Sequence, residues 1–145
     1  MNDPIARVLE HKGSDVVTVS PETTVVVAVQ RMNERRIGAL LVTDGGRRPV
    51  GIFTERDVLV RVVAAKLDPT TTPVHEVMTR NPVVVRPTMT VNEAMRVITE
   101  RRCRHLPVID DTGLRGLISI GDLMSWLVRH QQRTIDDLHD YVTRA

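Results

Sequence analysis

The chain repeats itself, and no other feature constrains its folding as much. When Asp15-Val16-Val17-Thr18-Val19-Ser20-Pro21 is set over Asn81-Pro82-Val83-Val84-Val85-Arg86-Pro87, Val17, Val19 and Pro21 fall on Val83, Val85 and Pro87. The register continues through Thr24-Val25 on Thr90-Val91, Ala28 on Ala94, and Glu34-Arg35-Arg36 on Glu100-Arg101-Arg102. Leu40, Val42 and Asp44 fall on Leu106, Val108 and Asp110. One extra residue in the turn at Gly45–Val50 shifts the frame, after which Gly51 meets Gly116 and Asp57 meets Asp122. A period of about 65 residues makes the chain a duplication, and the fold must be a unit that stacks on its own copy.

Each copy reads as the same string of elements. Val17–Val19 is a short strand closed by Ser20-Pro21. Thr24 and Thr90 stand as helix N-caps whose hydroxyls can accept from first-turn N–H groups. The following helices place Val25, Ala28, Val29 and Met32, or Val91, Ala94, Met95 and Ile98, on one face. Ala39–Thr43 and Leu106–Ile109 are apolar strands, and turns lead back into strands at Val50–Phe53 and Leu114–Ile118. A second helix closes each unit, Glu55–Ala65 with Val58, Leu59, Val62 and Val63, and Gly121–His130 with Leu123, Met124, Leu127 and Val128. The expected class is α/β (α+β): two βαββα units packed sheet to sheet around a pseudo-twofold axis, plus a C-terminal helix. The boundaries are 5–67 for the first unit, 68–73 for a linker, 74–130 for the second and 131–145 for a helical tail. Two matching clefts arise at the seam, each built from both copies.

Composition narrows the function. Hydrophobic residues make up 41% and charged residues 26%, an ordinary globular balance. Aromatics are only 2%, which disfavours stacking platforms for single-stranded nucleic acid. The formal charge is +2 and the Arg residues are dispersed among acids, as on a solvated surface; a nucleic-acid partner is not favoured. The single cysteine, Cys103, rules out an internal disulfide and suits a reducing compartment. No secretory pattern opens the chain and no apolar run approaches the ~20 residues of a membrane span. The expectation is a cytoplasmic protein.

From these residues the chain resembles the cystathionine-β-synthase (CBS) domain pair, or Bateman module, over about Ile5 to His130. The resemblance rests on Gly-hydrophobic-hydrophobic-Thr/Ser-x-x-Asp occurring twice, as Gly51-Ile52-Phe53-Thr54-Glu55-Arg56-Asp57 and Gly116-Leu117-Ile118-Ser119-Ile120-Gly121-Asp122. Arg104-His105-Leu106-Pro107-Val108 adds the family's basic pair before a Leu-Pro-Val strand. The pattern looks like a stand-alone bacterial member. The resemblance implies an adenine nucleotide (AMP, ADP or ATP, with NAD or S-adenosylmethionine as alternatives), and no required cofactor. The Asp would accept from the ribose hydroxyls, while the Thr or Ser would open a helix that helps hold phosphate, which suits a carboxylate and a helix N-terminus. The bland alternative takes Thr54 and Ser119 as simple caps, with Asp57 and Asp122 as first-turn dipole partners.

One expected cleft joins Ile52, Thr54, Arg56 and Asp57 to Thr79, Arg80, Cys103, Arg104 and His105; the other joins Leu117, Ser119 and Asp122 to Ser14, Ile37 and Gly38. Arg56 is replaced by Gly121 in the second, and Arg104-His105 by Gly38-Ala39, so the Asp57 cleft is expected to bind charged ligands better. Flanking arginines could lower the Cys103 thiol pKa, although a small packed residue is the better reading. The five histidines show no metal spacing, and no nucleophile–base arrangement, Gly-x-Ser-x-Gly elbow or Walker-type loop is present, so no enzyme is expected. Ile135, Leu138, Tyr141 and Val142 form an apolar stripe in the tail, with Thr134 as its cap. That stripe either packs on its own module or contacts a second copy in a homodimer. The functional expectation is a regulatory module that modulates an unidentified protein partner; the rival is an interaction scaffold for protein or nucleic acid with vestigial clefts.

Overall fold

A computed structural model describes residues 2–13, 16–46 and 48–144, with the side chains of 132–134, 137 and 144 left out. Its elements run α1 (Ile5–Lys12), β1 (Thr18–Val19), α2 (Val25–Arg35), β2 (Ala39–Val42) and β3 (Gly51–Thr54). There follow α3 (Glu55–Asp57), which widens into a π-type helix over Val58–Val63, and a single 3-10 turn at Val74–Glu76. The chain ends with β4 (Thr79–Arg80), α4 (Val91–Arg101), β5 (His105–Asp110), β6 (Gly113–Ser119) and α5 (Ile120–Arg144). One sheet has the order β1-β2-β3-β4; β5 and β6 pair in the other, and Val85 extends it by a parallel bridge to Val108.

The duplication is visible in detail. β2 pairs with β3 so that Ala39 faces Thr54, and β5 pairs with β6 so that His105 faces Ser119. Both α2 and α4 end in a left-handed arginine, Arg36 and Arg102, each with φ of 54°. Strand alternation then sorts the side chains. Leu40, Val42 and Phe53 point to α2 and form the first core with Val25, Ala28, Met32 and Val62. Ala39, Leu41 and Ile52 point the other way, where Val16 of the same half packs with them and Leu114 and Leu117 meet them across the seam. Burial on both faces explains why these strands read as unbroken apolar runs rather than alternating ones.

The cores do not follow the sequence boundaries. Ile5, Val8 and Leu9 of α1 are buried in the second core, beside Val85, Val91, Ala94, Ile98, Leu106, Val108, Ile118 and Leu123. Conversely, Val74, Val77 and Met78 are buried in the first core. The leading segment of each repeat therefore packs on the other repeat. Backbone bonds repeat the exchange: Ile5 N donates to Met89 O (2.8 Å) and Val74 N to Thr23 O (2.7 Å). Val91 N donates to Asp3 O (2.9 Å), and Val25 N to Thr72 O (2.9 Å).

These bonds alter the expected capping. Thr90 caps α4, its hydroxyl accepting from Glu93 N, but Thr24 makes no such bond. Carbonyls of Thr72 and Pro69 take the first N–H groups of α2 instead, so residues 68–73 act as a cap as well as a connection. The closing helices also differ from expectation. Val62 and Leu123 are buried, whereas Leu59 is 64% exposed, Val63 63%, Met124 48% and Val128 60%. Nothing in a helical stripe dictates that its own chain must cover it. α5 runs unbroken from Ile120 to Arg144, so the expected closing helix and the separate tail helix are one element. No Gly or Pro lies between 122 and 145 to stop it, and a lone Thr134 does not. Along its far end Ile135, Leu138, Tyr141 and Val142 are exposed, so the stripe does not pack on its own module.

The exchanged segments depend on two glycines. A Cβ on Gly51 would lie 2.2 Å from Met78 Sδ, and one on Gly116 would lie 2.6 Å from Leu9 Cδ2. Gly116→Ala should destabilise by about 1–3 kcal/mol through overpacking. In a Leu9→Ala background, which itself should cost about 2–5 kcal/mol, the added methyl should cost less. Urea unfolding of the four species would check this; strict additivity would count against the close approach.

Candidate functional site

Thr54 closes β3 and opens α3, and Ser119 closes β6 just before α5. At both places hydroxyl and carboxylate cap one another. Asp57 Oδ2 accepts from Thr54 N (2.9 Å) while Thr54 Oγ1 accepts from Asp57 N (3.3 Å). Asp122 Oδ2 accepts from Ser119 N (2.8 Å) while Ser119 Oγ accepts from Asp122 N (3.0 Å). The bland reading is therefore correct as far as it goes: each pair is a capping box with Asp in the third position. That cap also holds each carboxylate on a helix N-terminus, just after a strand that carries a seam residue, Ile52 or Leu117, with further lone pairs on the carboxylate.

Each aspartate has a cation. Arg61 Nε lies 3.6 Å from Asp57 Oδ1, and Arg61 Nη1 donates to the carbonyls of Val77 (3.2 Å) and Met78 (2.9 Å). Lys12 Nζ donates to Asp122 Oδ2 (2.6 Å) and to Leu117 O (2.7 Å). Arg61 was findable, standing four residues after Asp57 on a helix. Lys12 was not, because 110 residues separate it from Asp122 and only the exchange of α1 brings them together.

The other expected residues divide. Thr79 and Arg80 pair with Ile52 and Gly51 as β4, so they do stand beside the first motif. Ile52 and Leu117 are both part of the seam, and Arg56 is exposed on the first turn of α3. Ile37 packs against the first core; Gly38 O accepts from Glu55 N (3.0 Å), and a Cβ on Gly38 would meet Glu55 Oε1 at 3.2 Å. These contacts put Ile37 and Gly38 with the first motif's own helix. Ser14 lies outside the described residues. Arg104 is exposed, and its carbonyl accepts from Ile120 N (2.8 Å) at the start of α5. Cys103 is packed against the second core, and burial pushes its thiol pKa up; the opposing pull of a backbone bond and of Arg101 is weaker. The arginines flanking Cys103 therefore do not make a reactive thiolate of it.

Burial works to raise the Asp122 pKa, but the hydrogen bonds from Lys12 and Ser119 and the Lys12 charge outweigh it, and the carboxyl sits below its ordinary value. Burial holds the His105 imidazole below its ordinary value; Asp122 pulls it up, Lys12 and Arg104 push it down, and Glu55 pulls it up. His105, which pairs with Ser119 across β5 and β6, thus lies within the fields of both the Asp122 motif and Glu55 of the other half. Lys12 thus gives the Asp122 motif a cation that the local sequence does not supply.

The model of the CBS domain matches residues 6–64 and again 74–129. The chain belongs to the CBS-domain family. The crystal structure of the CBS domain NE2398 is 40% identical, with a TM-score of 0.81 over 87% of this chain and 98% of that one. The hexameric CBS-CP12 protein from bloom-forming cyanobacteria is 32% identical, with a TM-score of 0.76 over 84% of this chain and 69% of that one. The CBS domain-containing protein CBSCBSPB5 of Arabidopsis thaliana is 35% identical over 120 residues, 83% of this chain. The chain spans only 22% of that plant protein's length. CBS-domain proteins are as a class regulatory, ligand-binding modules, and these relatives are named for their domains rather than for a catalysed reaction. Among the described residues no helix is long and apolar enough to cross a membrane.

The depressed His105 pKa has a sign that can be checked in the CBS pair. The unfolded chain takes up a proton near His105's ordinary pKa while the folded chain resists it, so this residue's contribution falls as pH drops from about 7 through the folded pKa. His105→Gln should flatten the decline in melting temperature between pH 7.5 and 5.5. An unchanged decline would assign the acid sensitivity to other groups.

Proposed function

We propose that the chain is an adenine-nucleotide-binding regulatory module that adjusts a protein partner through movement of its two halves. The observation that carries this reading is the duplicated cap: Thr54 with Asp57 and Ser119 with Asp122, at equivalent ends of β3 and β6 beside the seam. A fixed carboxylate suits the vicinal hydroxyls of a ribose, and the adjacent helix N-terminus suits phosphate. Arg61 and Lys12 place one cation beside each aspartate. AMP, ADP and ATP are the first ligands to try, with NAD and S-adenosylmethionine next. Regulation requires the ligand to prefer one arrangement of the halves over another.

Calorimetric titration with these ligands, paired with thermal melting, tests the reading. A ligand at 100 times its Kd should add about 2.7 kcal/mol of stability. Asp57→Asn and Asp122→Asn should each weaken binding at one cleft, and Lys12→Met should act on the Asp122 cleft alone. Absence of binding by every adenosine ligand, with retention of nucleic acid instead, would favour the scaffold reading.

The partner in assembly is a second copy of the chain. Leu59 and Val63 correspond by the repeat to Met124 and Val128, and all four are exposed. Equivalent apolar positions left open in both halves mark an interface. On α5 the series Met124, Val128, Gln131, Ile135, Leu138 and Val142 alternates steps of four and three, the spacing of a helix–helix seam. The cyanobacterial relative is hexameric, which supports assembly through such modules. Light scattering of a chain ending at Gln131 should show a smaller or weaker assembly than the full chain. An unaltered dimer would remove the far end of α5 from the interface.

A further inference from the structure

Away from the seam, α1, Asp3 just before it and α5 form an open pocket of about 240 Å³ lined by Asp3, Arg7, His11, Trp126, Arg129 and His130. Trp126 is the chain's one tryptophan. Its Nε1 donates to Asp3 Oδ2 (3.1 Å), and Asp3 Oδ1 lies 3.7 Å from Arg7 Nη1. The His11 ring stands edge-on to the indole, with centroids 6.0 Å apart and planes at 69°. His11 Nε2 is hydrogen-bonded by Arg129 Nη1, and Arg129 Nη2 donates to Ser125 Oγ (3.3 Å).

The wall thus sets two guanidiniums against one carboxylate, which Trp126 and Arg7 already occupy. Its remaining groups are two imidazoles and the indole. Arg129 Nε also donates to Ser125 O (3.5 Å), which leaves one N–H on each of its terminal nitrogens for a ligand; these donors and the net positive charge select an anion. A carboxylate would satisfy one guanidinium fork; a phosphate has enough oxygens for both. The volume falls below the ~300–1,000 Å³ of pockets for drug-sized ligands, which favours a small ligand. The indole offers an apolar surface for whatever the phosphate carries.

We propose that this cavity binds a small phosphomonoester, its phosphate on Arg7 and Arg129 and its organic part against Trp126. The site is separate from the nucleotide clefts and stands whether or not they bind. Trp126 reports on it directly. The full-length protein would be titrated with phenyl phosphate and, separately, with inorganic phosphate, following indole emission excited at about 295 nm. A saturable change is expected with phenyl phosphate at lower concentration than with inorganic phosphate. Arg7→Gln and Arg129→Gln should each weaken it by about tenfold, while Asp57→Asn leaves it unchanged. Arg7 is largely exposed, so Arg7→Gln should fold normally, as circular dichroism would verify. Equal binding of both probes would overturn the ester assignment in favour of a bare anion site. No saturable response, or one undiminished in both arginine variants, would overturn the site itself.

Discussion

Met78 lies against Gly51 and Leu9 against Gly116, so closely that a side chain on either glycine would force Met78 or Leu9 to shift. These two approaches let the leading segment of each repeat lie down on the sheet of the other. Docked there, Ile5, Val8 and Leu9 are buried in the second core, and Val74, Val77 and Met78 in the first. The same docking carries Lys12 to Asp122 and brings the carbonyls of Val77 and Met78 to Arg61, which also faces Asp57. Both aspartate sites therefore depend on packing that is remote from them in sequence.

The first residue of the Gly-hydrophobic-hydrophobic-Thr/Ser-x-x-Asp signature accordingly has a structural reason distinct from any ligand. Glycine makes room for the exchanged segment, the two apolar residues divide between helix core and seam, and the hydroxyl and carboxylate cap the next helix. A single seven-residue stretch thus joins three kinds of contact. Substitution at one end would be felt at the other through β3 or β6.

Much of this was legible in the chain itself. The period, the strands and the buried faces of α2 and α4 follow from local alternation and helical spacing, which do not depend on distant partners. Val25, Ala28, Met32, Val91, Ala94 and Ile98 are all buried, as their spacing requires. The reciprocal caps were legible as an alternative to ligand binding, and the structure shows that a cap can be present without deciding what else the carboxylate does. What could not be read were relations between distant segments. α1 carries no local sign that it belongs to the second core, and Lys12 none that it will meet Asp122. The stripe of Leu59 and Val63 shows the converse: its spacing is right for burial, but among the described residues none covers it. Cys103 is a case of competing magnitudes, where neighbouring charge was evident and the stronger effect of burial was not.

The crossed arrangement of leading segments also bears on how the molecule comes apart. Cutting the backbone within residues 68–73 would not yield two free-standing halves, since each fragment would hold a strip that completes the other's interior. The fragments would be mutually complementary, and neither would have a full core when alone. The chain is thus a pair of sequence repeats but a single cooperative body, interlocked by exchange of its ends. A disturbance in one half would be shared by the other even without a ligand to connect them.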